Sequence, residues 1–97
     1  MFAQRNEVII DSGCAKDISR FPGDAKEKLA RLLDILAVDP FDLLLHTKPL
    51  SVPLQGMFSF RITRGYHVGF KFRESHVIQL LAASSRDTIY ERLRRKP

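Results

Sequence analysis

Large apolar side chains occupy almost every even-numbered position between residues 58 and 72, and small or polar side chains occupy most of the odd-numbered ones. Such alternation is typical of half-buried strands, because successive side chains point to opposite faces of a sheet. The apolar set stays on one face across a hairpin only if the loop has an odd number of residues. We therefore predict a loop of three residues, 63–65, with Gly65 in the left-handed conformation. The predicted cross-strand pairs are Phe60 with Val68 and Arg61 with His67.

The two faces of this hairpin have different character. The apolar face is expected to pack on a helix, and the other face is polar and basic, with Ser59, Arg61, His67, Gly69, Lys71 and Arg73. The segment from Val77 to Ala83 is apolar on both sides, which predicts a third strand at the centre of a sheet covered on both faces. The basic segment after Ser85 is predicted to be a short helix or tail.

A helical pattern precedes the hairpin. Leucines at positions 29, 32, 33 and 36 have the spacing of one helix face, so we expect them in the core. Asp24 is predicted to cap this helix, with Glu27 completing a capping box. Pro40 disfavours helical geometry at the residue before it, so the helix should end by about Val38.

The remaining segments complete the predicted architecture. Glu7 to Asp11 is a predicted strand, and Ala15 to Arg20 is a predicted short helix. Residues 40–54 are a predicted loop with a possible helical turn near Leu43 to Leu45. The prediction is an α+β fold: a strand, two helices, a three-stranded antiparallel meander and a short C-terminal helix, with the helices gathered on one side of the sheet.

Composition indicates one globular domain over residues 1–97, since 44% of the residues are apolar and 28% are charged. No apolar run approaches the roughly 18 residues of a membrane span, and the N-terminal stretch lacks the features of a secretory signal. We therefore expect a cytoplasmic protein that does not enter a membrane. Cys14 is the single cysteine, so it cannot form an internal disulfide, and we expect it to be buried.

The net charge of +5 is unevenly distributed. Residues 1–54 contain seven Lys or Arg and eight Asp or Glu, a net of −1, whereas residues 55–97 contain nine and three, a net of +6. This asymmetry points to a polyanionic partner, although a solvated surface gives the same count. The candidate contacts of this half to a polyanion such as RNA include Arg64, Lys71, Arg73, Arg92, Arg94 and Arg95.

Candidate chemistry comes from the polar face of the hairpin. The sequence lacks the HExxH, CxxC, glycine-rich and GxSxG motifs of common metal, nucleotide and esterase sites, and its histidines lack ligand-like spacing, so we expect no metal or other cofactor. Arg61 offers a planar fork of donors that suits phosphate oxygens, and His67 opposite it is expected to titrate near neutrality and to pass a proton. This pair suits metal-independent RNA cleavage. The alternative is two ordinary surface residues that face water.

The run KPLSVPLQGMFSFRITRGYHVGFKF, followed by VIQLLAASSRDTIYERL, resembles the RelE/ParE superfamily of toxins from bacterial type II toxin–antitoxin modules. The similarity spans most of the chain and is strongest from Lys48 to Tyr90. The positions that match the family pattern are Leu54, Gly56, Phe60, Arg61, Gly65, Tyr66, His67, Val68, Arg86 and Tyr90.

The resemblance implies a small α+β toxin that a cognate antitoxin neutralises by wrapping an extended segment around it. The ribonuclease branch cleaves mRNA, often at the ribosome, without a metal. By this resemblance Arg61 and Arg86 would stabilise the phosphate, and His67 would stand at a basic strand position. Lys48 would lie near the RNA backbone, and Tyr90 would stack on a base or orient the scissile link. Ordinary packing on the sheet is the alternative for Tyr90.

Two departures from the family pattern keep other functions open. One residue fewer separates the turn glycine from the tyrosine, and Ser85 stands where many nuclease members have a histidine or basic residue before the late arginine. His67 is then the only near-neutral titrating group on the proposed face. The alternatives are a non-catalytic ParE-like toxin that binds DNA gyrase, and an inactive family member that retains an antitoxin interface.

Overall fold

A five-stranded mixed sheet forms the centre of the computed structural model, which describes residues 5–95. The elements in chain order are β1 (Glu7–Ile10), α1 (Ser12–Ser19), α2 (Gly23–Val38), a 3₁₀ helix (Leu43–Leu45), β2 (Lys48–Pro49), β3 (Met57–Thr63), β4 (Tyr66–Glu74), β5 (Val77–Ser85) and α3 (Ile89–Arg94). The spatial order is β1-β5-β4-β3-β2, with β1 parallel to β5 and all other neighbours antiparallel. The predicted α+β class, the antiparallel meander and the helical turn after Pro40 are confirmed.

One face of the sheet packs against α1 and α2. The even-numbered apolar residues of the β3–β4 hairpin lie on this face, as the alternation predicts. Cys14 is fully buried among them, and three of the four leucines of the predicted stripe are buried while Leu33 is partly buried. The main core residues on this face are Leu29, Leu32, Leu36, Phe60, Ile62, Val68, Phe70, Ile78 and Leu80.

The opposite face of the sheet is covered in part by α3. Ile89 and Leu93 of this helix form a second, smaller core with Leu50, Leu54, Leu81 and Ala82. Gly69 of β4 permits the close approach, because a Cβ atom there would lie 2.5 Å from a Leu93 methyl group. The prediction that all helices lie on one side of the sheet is therefore wrong. The alternation in β3 and β4 could not reveal α3, because glycine and serine on the odd side suit either water or a packed leucine.

Both N-terminal helices begin earlier than predicted. α1 begins at Ser12, and α2 begins at Gly23 with Pro22 as its N-cap residue. The predicted capping box is wrong, because Asp24 lies inside the first turn and accepts a hydrogen bond from the next backbone N–H at 3.0 Å. The predicted end of α2 at Val38 is confirmed. Within residues 5–95, no helix is both long and apolar enough to cross a membrane.

The β3–β4 hairpin has both predicted cross-strand pairs but a different turn. Thr63 lies opposite Tyr66, so only two residues form the turn. The extra residue that parity requires lies inside β3, where the register shifts between Arg61 and Thr63. Gly65 consequently has no positive φ, and the prediction of a left-handed glycine at this position is wrong.

A buried carboxylate connects α1, β5 and α3. Asp17 of α1 accepts a hydrogen bond from the Ala83 backbone N–H of β5 at 3.1 Å. Both of its carboxylate oxygens also accept hydrogen bonds from Arg92 Nη2 of α3, at 2.8 and 2.9 Å. Asp17 is buried, whereas Arg92 is half-buried, so the carboxylate depends on these partners for its solvation.

We expect Asp17→Ala to lower the free energy of unfolding by about 2–3 kcal/mol, because it leaves the Ala83 N–H without an acceptor and Arg92 without its anion. Urea denaturation followed by circular dichroism measures the change. Glu91→Ala is the matched control, since the Glu91–Arg95 ion pair is long, at 3.6 Å, and exposed; it should change stability by less than about 0.5 kcal/mol. Equal losses in the two variants would contradict the anchoring role of Asp17.

Candidate functional site

A basic cleft of about 240 Å³ lies on the odd-numbered side of the hairpin, next to the area covered by α3. Three separate segments of the chain contribute to it: the loop and strand at residues 46–48, the β3–β4 hairpin, and the turn after β5. Four cations and two imidazoles line this cleft, which we call the basic cleft: Lys48, Arg61, Arg64, Arg86, His46 and His67.

Backbone pairing holds these segments in register. Lys48 on β2 lies opposite Ser59 of β3, two residues before Arg61. Arg61 lies opposite His67, so their side chains emerge side by side on the same face. The backbone N–H of Arg86 donates to the Gly65 carbonyl at 3.1 Å, which fixes the turn after β5 against the tip of the hairpin.

His46 is a member of the cleft that the sequence did not indicate. It ends the 3₁₀ helix in the left-handed conformation, with φ 52° and ψ 41°. Arg61 Nη2 lies 3.0 Å from His46 Nε2. Because a guanidinium can only donate, Nε2 is the acceptor in this contact. A histidine after an irregular apolar turn has no motif to identify it, so only the folded chain reveals this contact.

His67 is less accessible than His46. Its Nε2 atom is buried and has no hydrogen-bond partner among the described residues. Burial, and then the positive charges of Lys48, Arg61 and Arg86, lower the pKa of His67 from the ordinary value of 6.5. His67 is therefore neutral at pH 7, and the expectation that it titrates near neutrality is corrected to a titration at lower pH.

A second cleft, of about 200 Å³, continues from the basic cleft towards α3. It shares Lys48, His67 and Arg86 with the basic cleft and adds Asp87, Ile89 and Tyr90. Tyr90 is 39% exposed, and the Lys48 ammonium lies 5.7 Å from the centre of its ring. This distance is within the range of a cation–π contact. Because it contains an aromatic ring, we call this second cavity the aromatic cleft.

The cations of the basic cleft have no anionic partners in residues 5–95. The two ion pairs among these residues join Arg92 to Asp17 and Arg95 to Glu91, both outside the cleft. Four positive charges therefore share one small, partly enclosed volume without a counter-ion from this part of the chain. Such a site attracts an anion, and the arginine forks suit the oxygens of a phosphate.

The structure separates the predicted site residues into two groups. All four catalytic candidates, together with Lys48 and Arg64, line one or both clefts. Arg92 lines neither cleft, and its guanidinium is bound to Asp17, so its predicted RNA contact stays a prediction. The other predicted RNA contacts line neither cleft: Lys71 and Arg73 on β4, and Arg94 and Arg95 at the end of α3.

Metal binding has no suitable group of ligands in the described part of the chain. Within residues 5–95, no group of three or more His, Cys, Asp or Glu side chains is arranged to hold a metal ion. His46 contacts a guanidinium and His67 lies among three cations, and both positions disfavour a bound metal cation.

Known proteins match this chain in structure. No protein-family model and no curated protein matches its sequence. A chain of the toxin–antitoxin complex RelBE2 from Mycobacterium tuberculosis has a TM-score of 0.71 and 20% identity, over 84% of this chain and 99% of its own length. The YoeB/ParE toxin from Agrobacterium tumefaciens has a TM-score of 0.73 and 19% identity, over 82% and 98%.

YafQ from E. coli has a TM-score of 0.72 and 13% identity, over 89% of this chain and 99% of its own length. In each case this chain spans nearly the whole length of the similar toxin. The chain therefore has the RelE-like toxin fold, as its residues predict. Identities this low show a shared fold alone, so any activity has to be inferred from the side chains of the two clefts.

We expect the pKa of His67, measured by NMR titration, to lie below 6.5, because burial and three cations disfavour its charged form. Lys48→Gln should raise this pKa without restoring the ordinary value, since burial is the larger cause. Arg94→Gln is the matched control and should leave the pKa of His67 unchanged. A pKa above 6.5 in the unmodified protein would contradict this description of the cleft.

Proposed function

We propose that this chain is the toxin of a type II toxin–antitoxin module and that it cleaves mRNA at the ribosome without a metal ion. The observation that carries the proposal is the convergence of four cations and two imidazoles on the basic cleft, where no carboxylate of residues 5–95 pairs with them. Fixed cations of this kind stabilise the extra negative charge of a phosphoryl transition state. The RelE-like fold supports the proposal, because similar structures include toxins bound to their antitoxins.

The phosphate of the scissile link binds between Arg61 and Arg86 in this proposal. Both residues line the cleft, Arg61 from β3 and Arg86 from the turn after β5. Each can donate two parallel hydrogen bonds to phosphate oxygens. Lys48 adds a third charge from β2, and Tyr90 lies where a neighbouring base can stack on its ring.

His46 acts as the base in this mechanism. At rest its Nε2 lone pair accepts from Arg61. A bound phosphate gives Arg61 a stronger acceptor, because hydrogen bonds to an anion are roughly twice as strong as those to a neutral group. Nε2 is then free to take the proton of the 2′-hydroxyl, whose oxygen attacks the phosphorus atom.

His67 supplies the proton to the leaving 5′-oxygen. The cations that lower its pKa at rest are the ones whose charge the phosphate offsets. Substrate binding therefore raises the pKa of His67 and allows it to take a proton from solvent. Transfer of this proton to the 5′-oxygen as the P–O bond breaks leaves a 2′,3′-cyclic phosphate and a 5′-hydroxyl, and both imidazoles return to rest by exchange with solvent.

The cognate antitoxin is the protein partner that this proposal requires. An extended acidic segment that covers the basic cleft would pair with Lys48, Arg61 and Arg86 and exclude RNA from it. Inhibition would then be competitive with RNA, because both ligands need the same cations.

The environment of Ser85 favours a second candidate function, one without catalysis. Ser85 lies at the position before Arg86, and its hydroxyl is 3.0 Å from that of Thr88, so it adds no acid or base to the cleft. The catalytic proposal depends on His46 and His67 instead. A toxin that binds DNA gyrase, or an inactive member of the family, would need neither imidazole.

We expect Arg61→Ala and Arg86→Ala each to reduce mRNA cleavage by about 10²–10³-fold, because each removes a donor to the transition state. Programmed ribosomes supply the substrate, and primer extension under single-turnover conditions measures the rate. Stability should change by less than about 0.5 kcal/mol in both variants, since neither side chain is part of the core. Arg73→Ala, an exposed arginine of β4 outside both clefts, is the matched control and should cleave normally.

The outcomes separate the candidate functions. Cleavage that survives both substitutions would overturn the assigned roles of Arg61 and Arg86. Intact mRNA with the unmodified protein, together with inhibited supercoiling by DNA gyrase, would replace the nuclease proposal with the gyrase-binding alternative. A protein that does neither, and is harmless in cells without an antitoxin, would be the inactive member.

We expect RNA affinity to fall steeply with salt, because four cations release counter-ions from the phosphates they neutralise. For single-stranded RNA the slope of log K against log salt should be about −3, and Arg86→Gln should reduce its magnitude by about 0.7. Fluorescence anisotropy with a non-cleavable 2′-O-methyl oligonucleotide measures both slopes. Arg73→Gln should leave the slope unchanged, and a flat response in the unmodified protein would indicate a partner other than RNA.

A further inference from the structure

His46 lies on the surface between two neighbours that the fold holds in place. Leu45 before it is fully buried in the core that α2 forms with the sheet. Thr47 after it is half-buried, and its hydroxyl donates to the Pro40 carbonyl at 2.6 Å. His46 itself is exposed, and among the described residues its imidazole forms a hydrogen bond only with Arg61. The direction of this imidazole therefore depends on how its two neighbours hold the backbone.

The hydrogen bond of Thr47 closes a compact loop at the end of α2. It joins two residues seven positions apart, and α2 ends two residues before the acceptor, Pro40. Pro40 is a stiff anchor, because its ring fixes φ at about −65°. Inside the loop, the Asp42 carboxylate accepts a hydrogen bond from the Leu44 N–H at 2.9 Å and caps the 3₁₀ helix. The loop is thus held from the end of α2 to the residue that follows His46.

The backbone of His46 is the part of this loop that most needs support. Its φ of 52° and ψ of 41° lie in the left-handed region, which is unfavourable for a residue with a Cβ atom. Such a conformation persists where the surrounding structure holds it. Without the hydroxyl of Thr47, we expect residue 46 to return to a common backbone conformation. Its Cβ atom would then direct the imidazole away from Arg61.

Thr47 separates two members of the basic cleft and does not line the cleft itself. His46 and Lys48, on either side of it, both line the cleft. Lys48 is held independently, because β2 pairs with β3 and places Lys48 opposite Ser59. Loss of the Thr47 hydroxyl is therefore expected to move the imidazole and to leave the cations of the cleft in place.

We propose that Thr47 is a positioning residue that holds His46 against Arg61 through its hydrogen bond to Pro40. This inference rests on the proposed function, because His46 is the base there. Thr47 touches neither the RNA nor the reacting atoms, and it acts only through the neighbouring imidazole. A base has to lie within hydrogen-bond reach of the proton it removes, so this support matters most after Arg61 has turned to the phosphate.

Thr47→Val tests the proposal, since it removes the hydroxyl and keeps the branched shape of the side chain. The first measurement is long-range ¹H–¹⁵N NMR of the His46 imidazole at about pH 8, where imidazoles in general are neutral. In the unmodified protein, Nε2 should have the ¹⁵N shift of an acceptor nitrogen. In Thr47→Val this resonance should move towards the value of free histidine, in which the proton is shared between the two ring nitrogens.

The second measurement separates the chemical step from binding. Single-turnover cleavage on programmed ribosomes should slow about tenfold in Thr47→Val, because a small displacement of a reacting group costs much of its effect. Affinity for a 2′-O-methyl oligonucleotide should change by less than about twofold, since the cations of the cleft supply it. Thr47→Ser restores the hydroxyl and should return both the ¹⁵N shift and the cleavage rate to those of the unmodified protein.

Ser19→Ala is the matched control. The Ser19 hydroxyl donates to the Lys16 carbonyl at 2.6 Å, the same length as the hydrogen bond of Thr47. Ser19 is the last residue of α1 and lines neither cleft. Its substitution should leave both the His46 resonance and the cleavage rate unchanged.

Several outcomes would overturn the inference. An unchanged His46 resonance in Thr47→Val would do so, as would a Thr47→Ser variant that behaves like Thr47→Val. Loss of the folded state in Thr47→Val, seen by circular dichroism, would show a purely structural contact, and a shifted resonance with an unchanged cleavage rate would show that His46 is not the base. The NMR measurement needs no RNA, so it judges the role of Thr47 even if the unmodified protein cleaves no mRNA. That last result would overturn the nuclease proposal by itself.

Discussion

The position of α3 depends on the buried carboxylate of Asp17. Its hydrogen bonds to the Ala83 N–H and to Arg92 connect α1, β5 and α3. The close contact of Leu93 with Gly69 also allows α3 to lie near the sheet, because a side chain at Gly69 would push α3 away. Tyr90 of α3 lines the aromatic cleft, so the ion pair that holds α3 also helps to position this ring. The Asp17–Arg92 ion pair thus supports the separate contact between Lys48 and the ring of Tyr90.

The basic cleft concentrates positive charge that no ion pair within residues 5–95 balances. Lys48, Arg61, Arg64 and Arg86 repel one another, and this repulsion opposes the folded state at low ionic strength. The left-handed backbone of His46 adds local strain. Features of this kind persist where they prepare a binding site, and an anion that enters the cleft relieves the repulsion. The same charges that destabilise the empty cleft would therefore contribute to ligand affinity.

The alternation of apolar and polar residues predicted the two faces of β3 and β4 well, and the turn and the other elements around them poorly. Which side of β3 and β4 is apolar follows from local alternation, so Arg61 and His67 were correctly paired. The turn was predicted wrongly, because a bulge within β3 adds the one extra residue that parity requires, just as a longer loop would. The parallel pairing of β1 with β5 joins residues about 70 positions apart and has no local signal. Composition shows the charge of Arg92 but not its partner, so the sequence does not reveal that Asp17 binds this guanidinium.

The two imidazoles of the basic cleft show why residue types alone did not assign its chemistry. The sequence indicates His67, because it lies opposite Arg61, yet its Nε2 is buried and its pKa is lowered. The sequence does not indicate His46, yet it is exposed and accepts from Arg61 at 3.0 Å. His46 is accessible and its lone pair is occupied, whereas His67 is buried and the cations around it favour its neutral form. The two imidazoles therefore suit different roles in a proton transfer, His46 as the base and His67 as the acid. In the proposed function, a phosphate between Arg61 and Arg86 would change both at once, because it would free the lone pair of His46 and offset the charges around His67. Such coupling would confine the chemistry to the complex with RNA.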